Sequence, residues 1–191
     1  MSSPSVLIVG CGDVGGRLAQ QLLGLGWSVS GLRRNVAALP AGVAGIAADL
    51  ENPQCPTDWP LVAPDYLVYC VAASQHDEAG YQAAYVDGLR HVLAWLAARG
   101  QHPRRLLFVS SSSVYEQKGG EWVDEKTGLH PSGPRGQARV DAERGWLDLM
   151  RMGVPVHLFR IAGIYGPGRS AVDSLRDGTA RRVIKLGAAF F

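Results

Sequence analysis

The sequence predicts an α/β fold: a doubly wound parallel sheet with helices on both faces. Three observations predict it. Short apolar runs rich in β-branched and aromatic residues alternate with segments of helical periodicity. A glycine-rich turn joins the first such run to the first helical segment. And 47% hydrophobic against 19% charged residues, over 191 positions, is enough apolar material to cover both faces of a sheet, which excludes disorder as the dominant state.

Residues 6–9, Val-Leu-Ile-Val, read as a buried strand ending at Gly10. Residues 17–25 come next as a helix with Leu18, Leu22 and Leu25 on one face, and Gly26 suits its C-terminus. Residues 27–32 form the second strand and 43–48 a weaker third, diluted by alanines and Gly45. Residues 52–64 carry four prolines and read as loop. Residues 66–71 are the fourth strand. Residues 81–99 are a long helix with Tyr81, Tyr85, Leu89, Val92 and Leu96 on one stripe. Residues 105–109 make the fifth strand, and 116–133 are polar and glycine-rich, a loop. Residues 135–151 are helical, with Ala138, Ala142, Trp146 and Leu149 inward, and 155–160 close the series as a sixth strand. Right-handed crossovers between such strands give a parallel sheet. The expected order is 3-2-1-4-5-6, with ligand over the carboxyl ends of the strands.

Composition narrows the function classes. A net charge of +2 gives no sign of a nucleic-acid partner. Three scattered cysteines read as reduced thiols of a cytoplasmic protein. The N-terminus lacks the basic and long apolar regions of a signal peptide, and no run approaches the roughly 20 apolar residues of a membrane span. The five histidines show no metal-ligand spacing, so no metal is expected.

Gly10-Cys-Gly12-Asp-Val-Gly15 fits G-x-G-x-x-G between a strand and a helix, the setting of the Rossmann dinucleotide fingerprint. Gly10 serves the tight turn, Gly12 lets the backbone approach a pyrophosphate, and Gly15 lets the helix pack on the strand. Asp13 and Val14 sit at the helix start, whose free N–H groups attract anions. The alternative is a tight turn without ligand. No Asp or Glu lies between Asp13 and Asp49, where an NAD site places an acid for the ribose hydroxyls. Arg33 and Arg34 come after the second strand instead and suit a 2′-phosphate, so NADP(H) is expected over NAD(H). Asp49 either accepts from the adenine amine or caps the next segment. Cys11 is a small residue tolerated in the loop, or an exposed thiol acidified by the helix N-terminus.

The later motifs, residues 108–115 (Phe-Val-Ser-Ser-Ser-Ser-Val-Tyr) and 160–168 (Arg-Ile-Ala-Gly-Ile-Tyr-Gly-Pro-Gly), resemble the extended short-chain dehydrogenase/reductase family, the NAD(P)-dependent sugar-nucleotide epimerase/dehydratase group. Extended members usually show G-x-x-G-x-x-G, so this chain resembles an atypical subgroup. The resemblance implies that Val71, Ala72 and Ala73 run beside the cofactor and that Pro167 and Gly168 flank its nicotinamide side. It also implies a catalytic Ser, Tyr and Lys. Ser111, four residues before Tyr115, matches the serine; otherwise the serines only end the strand and cap the adjoining segment. The Tyr-x-x-x-Lys positions fall on Arg135 and Arg139. Arginine has no proton-exchanging form near neutrality and cannot replace the tyrosine. Arg139 keeps the positive charge, or forms a helix-face pair with Glu143. Tyr115 is the first substitute proton donor, and Tyr115→Phe is then expected to cost at least about a hundredfold in turnover. Tyr85 is the second candidate, with core packing as its alternative.

Residues 1–165 are expected to form the cofactor domain and 166–191 the start of a substrate lobe that stops short. The apolar end at Phe190 and Phe191 then either packs back or marks where the missing lobe or a partner sits. Two functions are open. One is an oxidoreductase or epimerase acting on a nucleotide sugar or related alcohol or ketone. The other is a non-catalytic NADP(H)-binding redox sensor or regulatory module. A third ligand class, FAD or an adenosine nucleotide, has less support. Family members often dimerise through the two long helices, so a homodimer is expected.

Overall fold

A computed structural model describes residues 3–75, 77–116, 121–131, 133–151 and 153–179. Six strands form one all-parallel sheet: β1 (Ser5–Val9), β2 (Ser28–Arg33), β3 (Ala44–Ala47), β4 (Tyr66–Tyr69), β5 (Arg105–Ser111) and β6 (Val156–Ile161). Their order is β3-β2-β1-β4-β5-β6, so the chain reverses direction across the sheet between β1 and β4. Val9 lies level with Leu32 on one side and Tyr69 on the other. That register sets the ends of the three central strands at one height and opens a crevice above them.

Both faces are covered, which is why the β1 run is continuously apolar rather than alternating. Val6 and Ile8 pack with Ala19 of helix α1 (Asp13–Gly24), while Leu7 and Val9 face the other layer. That layer holds the central helix and helix α4 (Pro134–Arg151). The central helix comprises α2 (Glu78–Gln82), a π-helical turn at Ala83–Asp87, and α3 (Gly88–Ala98). Tyr81, Tyr85, Leu89, Val92 and Leu96 are all buried, as their stripe requires. Trp146 lies fully buried, stacked on Phe108 at 5.2 Å between centroids. The proline-rich segment 52–64 contains no helix or strand. It is pinned by Trp59 Nε1 donating to Gln101 Oε1 (2.9 Å) and Trp95 Nε1 donating to the Pro53 carbonyl (2.8 Å).

Several expectations change in detail. Helix α1 starts at Asp13, directly on the glycine loop, and ends at Gly24; Leu25 lies past its end and is 74% exposed. The inward face of α1 is Gly15, Gly16 and Ala19, small residues that let the helix sit close to the sheet. β4 stops at Tyr69, and β5 runs two residues further than its apolar core. A short helix α5 (Ala171–Arg176) lies beyond β6, capped by the Ser170 hydroxyl accepting from the Asp173 N–H. Phe190 and Phe191 lie outside the described residues. Among the described residues no helix is long and apolar enough to cross a membrane.

Candidate active site

The glycine loop is packed from below and open from above. Gly10 has φ +83°, and a Cβ there would meet the Val71 backbone at 2.7 Å. The amides of Gly10 and Cys11 both donate to the Leu32 carbonyl, at 3.0 and 3.1 Å, which ties the loop to β2. A Cβ on Gly15 would lie 2.9 Å from the Gly10 carbonyl and from Ile8. A Cβ on Gly12 would find nothing nearer than 3.9 Å, so that glycine guards open space and not packing. Gly12 is also the N-cap of α1 and offers no side-chain cap, leaving first-turn N–H groups pointing outward. These are the features of an anion site at a helix N-terminus.

Above the loop lies a cleft of about 550 Å³, within the usual size of small-molecule sites. Gly10, Gly12, Asp13, Val14, Val71 and Ala72 line one part of it, and Arg33, Arg34 and Asn35 a second. Tyr85, Ser110, Ser111 and Arg139 line the far end, and Arg169 also borders the cleft. Most of the expected loop residues, both arginines and Ser111 thus share one cavity, while Gly15 and Ala73 do not line it. Arg33 is already engaged: its Nη1 donates to the carbonyls of Ala38 (3.0 Å) and Cys11 (3.3 Å). Arg34 is exposed and borders both the cleft and a smaller recess of about 80 Å³. Asp49 lines that recess while its Oδ1 accepts from the Glu51 amide (3.1 Å), so its turn-capping role is realised and its carboxylate still faces the space.

Asp13 brings a negative charge to the loop but two cations hold it: Arg17 at 2.8 Å and Arg169 at 2.6 Å. Their hydrogen bonds, Arg17 first, keep its carboxyl below the usual carboxylate range. Arg17 also donates to the Pro167 carbonyl (2.9 Å). Pro167 therefore straps the segment after β6 onto α1, and it lines a separate pocket of about 310 Å³ rather than the main cleft. Cys11 is buried, and burial pushes its thiol up, against the expectation of an exposed, acidified group. Cys70, on the cleft wall, is likewise pushed up to about 12 by burial.

At the far end the four hydroxyls of interest separate. Ser111 Oγ accepts from the Ser113 amide (3.2 Å), capping the turn after β5, and Ser111 lines the cleft. Ser110 is 1% exposed and its Oγ has no hydrogen-bond partner among the described residues. Ser110 shares the sheet face of Leu106 and Phe108, the face that packs on the central helix and α4. Tyr115 is not among the cleft-lining residues. Its hydroxyl donates to the Asp124 carbonyl (2.7 Å) and accepts from Arg160 Nη1 (2.8 Å). Tyr85 does line the cleft, and its oxygen accepts from Arg139 Nη2 at 2.8 Å. The Arg139 guanidinium carbon also lies 4.4 Å from the Tyr85 ring centroid.

The helix-face pair between Arg139 and Glu143 does not form. Glu143 is fully buried and takes Arg160 of β6 instead, through Nη2 at 2.8 Å and Nε at 3.1 Å. Both residues lie on one helix at the expected spacing, but Glu143 faces the sheet while Arg139 turns toward the cleft. The side chain of Arg135 lies outside the described residues. Sequence reasoning missed Cys70 and Arg169; strand alternation from Leu106 and Phe108 is the signal that puts Ser110, one residue before Ser111, on the buried face.

Comparison with known proteins agrees with this geometry. Residues 6–187 match the model of the NAD dependent epimerase/dehydratase family. Protein YeeZ of Escherichia coli K12 is 30% identical over 171 residues, covering 86% of this chain and 60% of that protein. A solved structure from Methylobacillus flagellatus, assigned as a NAD-dependent epimerase/dehydratase, is 35% identical with a TM-score of 0.70, covering 92% of this chain and 59% of that one. The structure of MoeE5 in complex with UDP-glucose and NAD is 25% identical with a TM-score of 0.69, covering 87% and 56%. The chain thus spans about three fifths of the length of such relatives.

Proposed function

The chain belongs to the NAD-dependent epimerase/dehydratase family, and from that premise we propose that it binds NADP(H) in the main cleft. The observation that carries the reading is the glycine loop: packed at Gly10 and Gly15, open at Gly12, and set under a cleft lined by arginines. The first-turn amides at Asp13 and Val14 would hold the pyrophosphate, with Val71 and Ala72 beside it. The recess at Asp49 would take the adenine. Arg34 would hold the 2′-phosphate, since Arg33 is committed to backbone carbonyls. The bound dinucleotide would supply or accept a hydride at the end of the cleft where Tyr85, Ser110, Ser111 and Arg139 converge. The substrate class is an alcohol or ketone such as a nucleotide sugar, which the UDP-glucose in the MoeE5 complex supports. Residues 1–165 are proposed as the cofactor domain, 166–191 as the start of a substrate lobe, and a cytoplasmic homodimer as the working form.

Titration with NADPH, NADH, FAD and ATP, followed by absorbance assays of the bound reduced dinucleotide against a panel of sugar nucleotides and simple ketones, tests the proposal. Tight NADPH binding with substrate-dependent oxidation is the expected result. Tight NADPH binding without oxidation across the panel favours a redox sensor, a reading that the absence of Tyr and Lys at positions 135 and 139 supports. Preference for FAD or ATP overturns both.

A further inference from the structure

The central helix is widened where it passes the cleft, and the cause is local. The Tyr69 hydroxyl donates to the Ala84 carbonyl within the π-turn. Gly88 leaves the room: a Cβ there would lie 2.8 Å from that hydroxyl. A side chain inserted into the helical ladder is a known source of such distortion, and π-turns often mark functional sites. Tyr69 is itself fully buried, with ring centroids 6.0 Å from both Phe108 and Trp146, so the wedge is held from behind. Tyr85 stands in the middle of the turn it creates. Its oxygen receives the Arg139 guanidinium at 2.8 Å. That bond brings a donor to the oxygen and does not use the phenol's own proton. Burial pushes the Tyr85 hydroxyl up in pKa, with Arg139 and the Ala73 amide opposing it.

We infer that Tyr85 is the proton-exchanging hydroxyl of this site, positioned by Arg139 and presented by the π-turn that Tyr69 and Gly88 hold. The inference rests on the dinucleotide-binding reading above. In the reductive direction the Tyr85 O–H bond breaks and a new O–H bond forms on the substrate carbonyl oxygen. The carbonyl carbon takes its hydride from the reduced nicotinamide dinucleotide. The phenolate left behind is stabilised by Arg139 and regains its proton from water; oxidation of an alcohol runs the same steps backward. An arginine at position 139 cannot exchange the proton, but it can hold the anion that the exchange leaves. The acid/base tyrosine is thus supplied by a different helix from the one that carries the positive charge.

The test is a pH titration of the protein labelled with ¹³C at the tyrosine ζ carbons, followed by NMR with and without NADP⁺ or NAD⁺. Positive charge arriving beside Tyr85 lowers its titration midpoint by about one pH unit or more. Tyr85→Phe removes that signal. Arg139→Met raises the Tyr85 midpoint both with and without dinucleotide, and Arg139→Lys brings part of it back down; these two variants carry the test if Tyr85→Phe does not fold. Saturable dinucleotide binding with an unmoved Tyr85 midpoint, or a midpoint unchanged by Arg139→Met, overturns the role of Tyr85 alone. Failure of any dinucleotide to bind overturns the site reading, and this inference with it.

Discussion

Glu143 of α4 and Arg160 of β6 meet in a forked ion pair, with Arg160 Nη2 at 2.8 Å from one carboxylate oxygen and Nε at 3.1 Å from both. Glu143 is fully buried, so its charge depends on that one guanidinium. Arg160 also grips Tyr115 and, at 3.3 Å, the Glu125 carbonyl. The pair therefore ties the segment after β5 to the sheet edge beside the cleft.

Removing one partner strands a buried charge. Arg160→Met, which leaves the fully buried Glu143 without its partner, is expected to cost about 3–5 kcal/mol in urea denaturation, whereas the double variant Glu143→Leu/Arg160→Met recovers most of that loss. Equal losses in the single and double variants would show that the fork itself, not the orphaned charge, carries the effect.

The glycine loop separates packing from binding. Gly15→Ala forces a Cβ to within 2.9 Å of the Gly10 carbonyl and Ile8. Its expected cost is about 1–3 kcal/mol of stability. Gly12→Ala meets no protein atom closer than 3.9 Å. It should fold with unchanged stability and lose at least about tenfold in dinucleotide affinity. Calorimetric unfolding and fluorescence titration of the two variants check the split; a Gly12→Ala protein that binds normally contradicts it.

Acid stability has a specific contributor at the far end of the sheet. Asp65 Oδ2 accepts from the Ser5 amide and hydroxyl, both at 2.9 Å, and Arg104 lies 3.1 Å from Oδ1. The Ser5 bonds hold its carboxyl below the ordinary range. An unfolded aspartate titrates near 3.9, so this stabilisation is complete above about pH 4 and is lost as pH falls through the lower folded value. Asp65→Asn should therefore lower Tm at neutral pH, and the gap to the parent protein should close below about pH 4. A gap that stays constant down to about pH 3 contradicts the assignment.

The sheet was legible because its central strands β1 and β4 are buried on both faces, so they stand out as apolar runs whatever their neighbours do. The strand order came from the crossovers between them. The end of the cleft around Tyr85 was less legible, and for reasons outside any one segment. The stripe Tyr81, Tyr85, Leu89 fits a straight helix as well as a distorted one; the distortion comes from Tyr69, on a different element. Position 139 reads as a helix-face pair with 143 until β6 supplies Arg160 to Glu143. Ser110 and Ser111 differ only in which sheet face each takes, and β5 had to run to Ser111 before that parity was fixed. Leu25 has the spacing of an inward helical residue, yet the helix has already ended there.

The most direct test of the central claim is the affinity for NADPH and NADH, measured by fluorescence titration on the parent protein and on Arg34→Ser. The parent protein should bind NADPH more tightly. The variant should lose about 10- to 100-fold for NADPH, the worth of a charge-assisted hydrogen bond to phosphate, with NADH affinity unchanged. Equal binding of both dinucleotides by the parent, or an Arg34→Ser protein that keeps its NADPH affinity, would contradict the placement of the 2′-phosphate at Arg34 and the NADP(H) preference drawn from it.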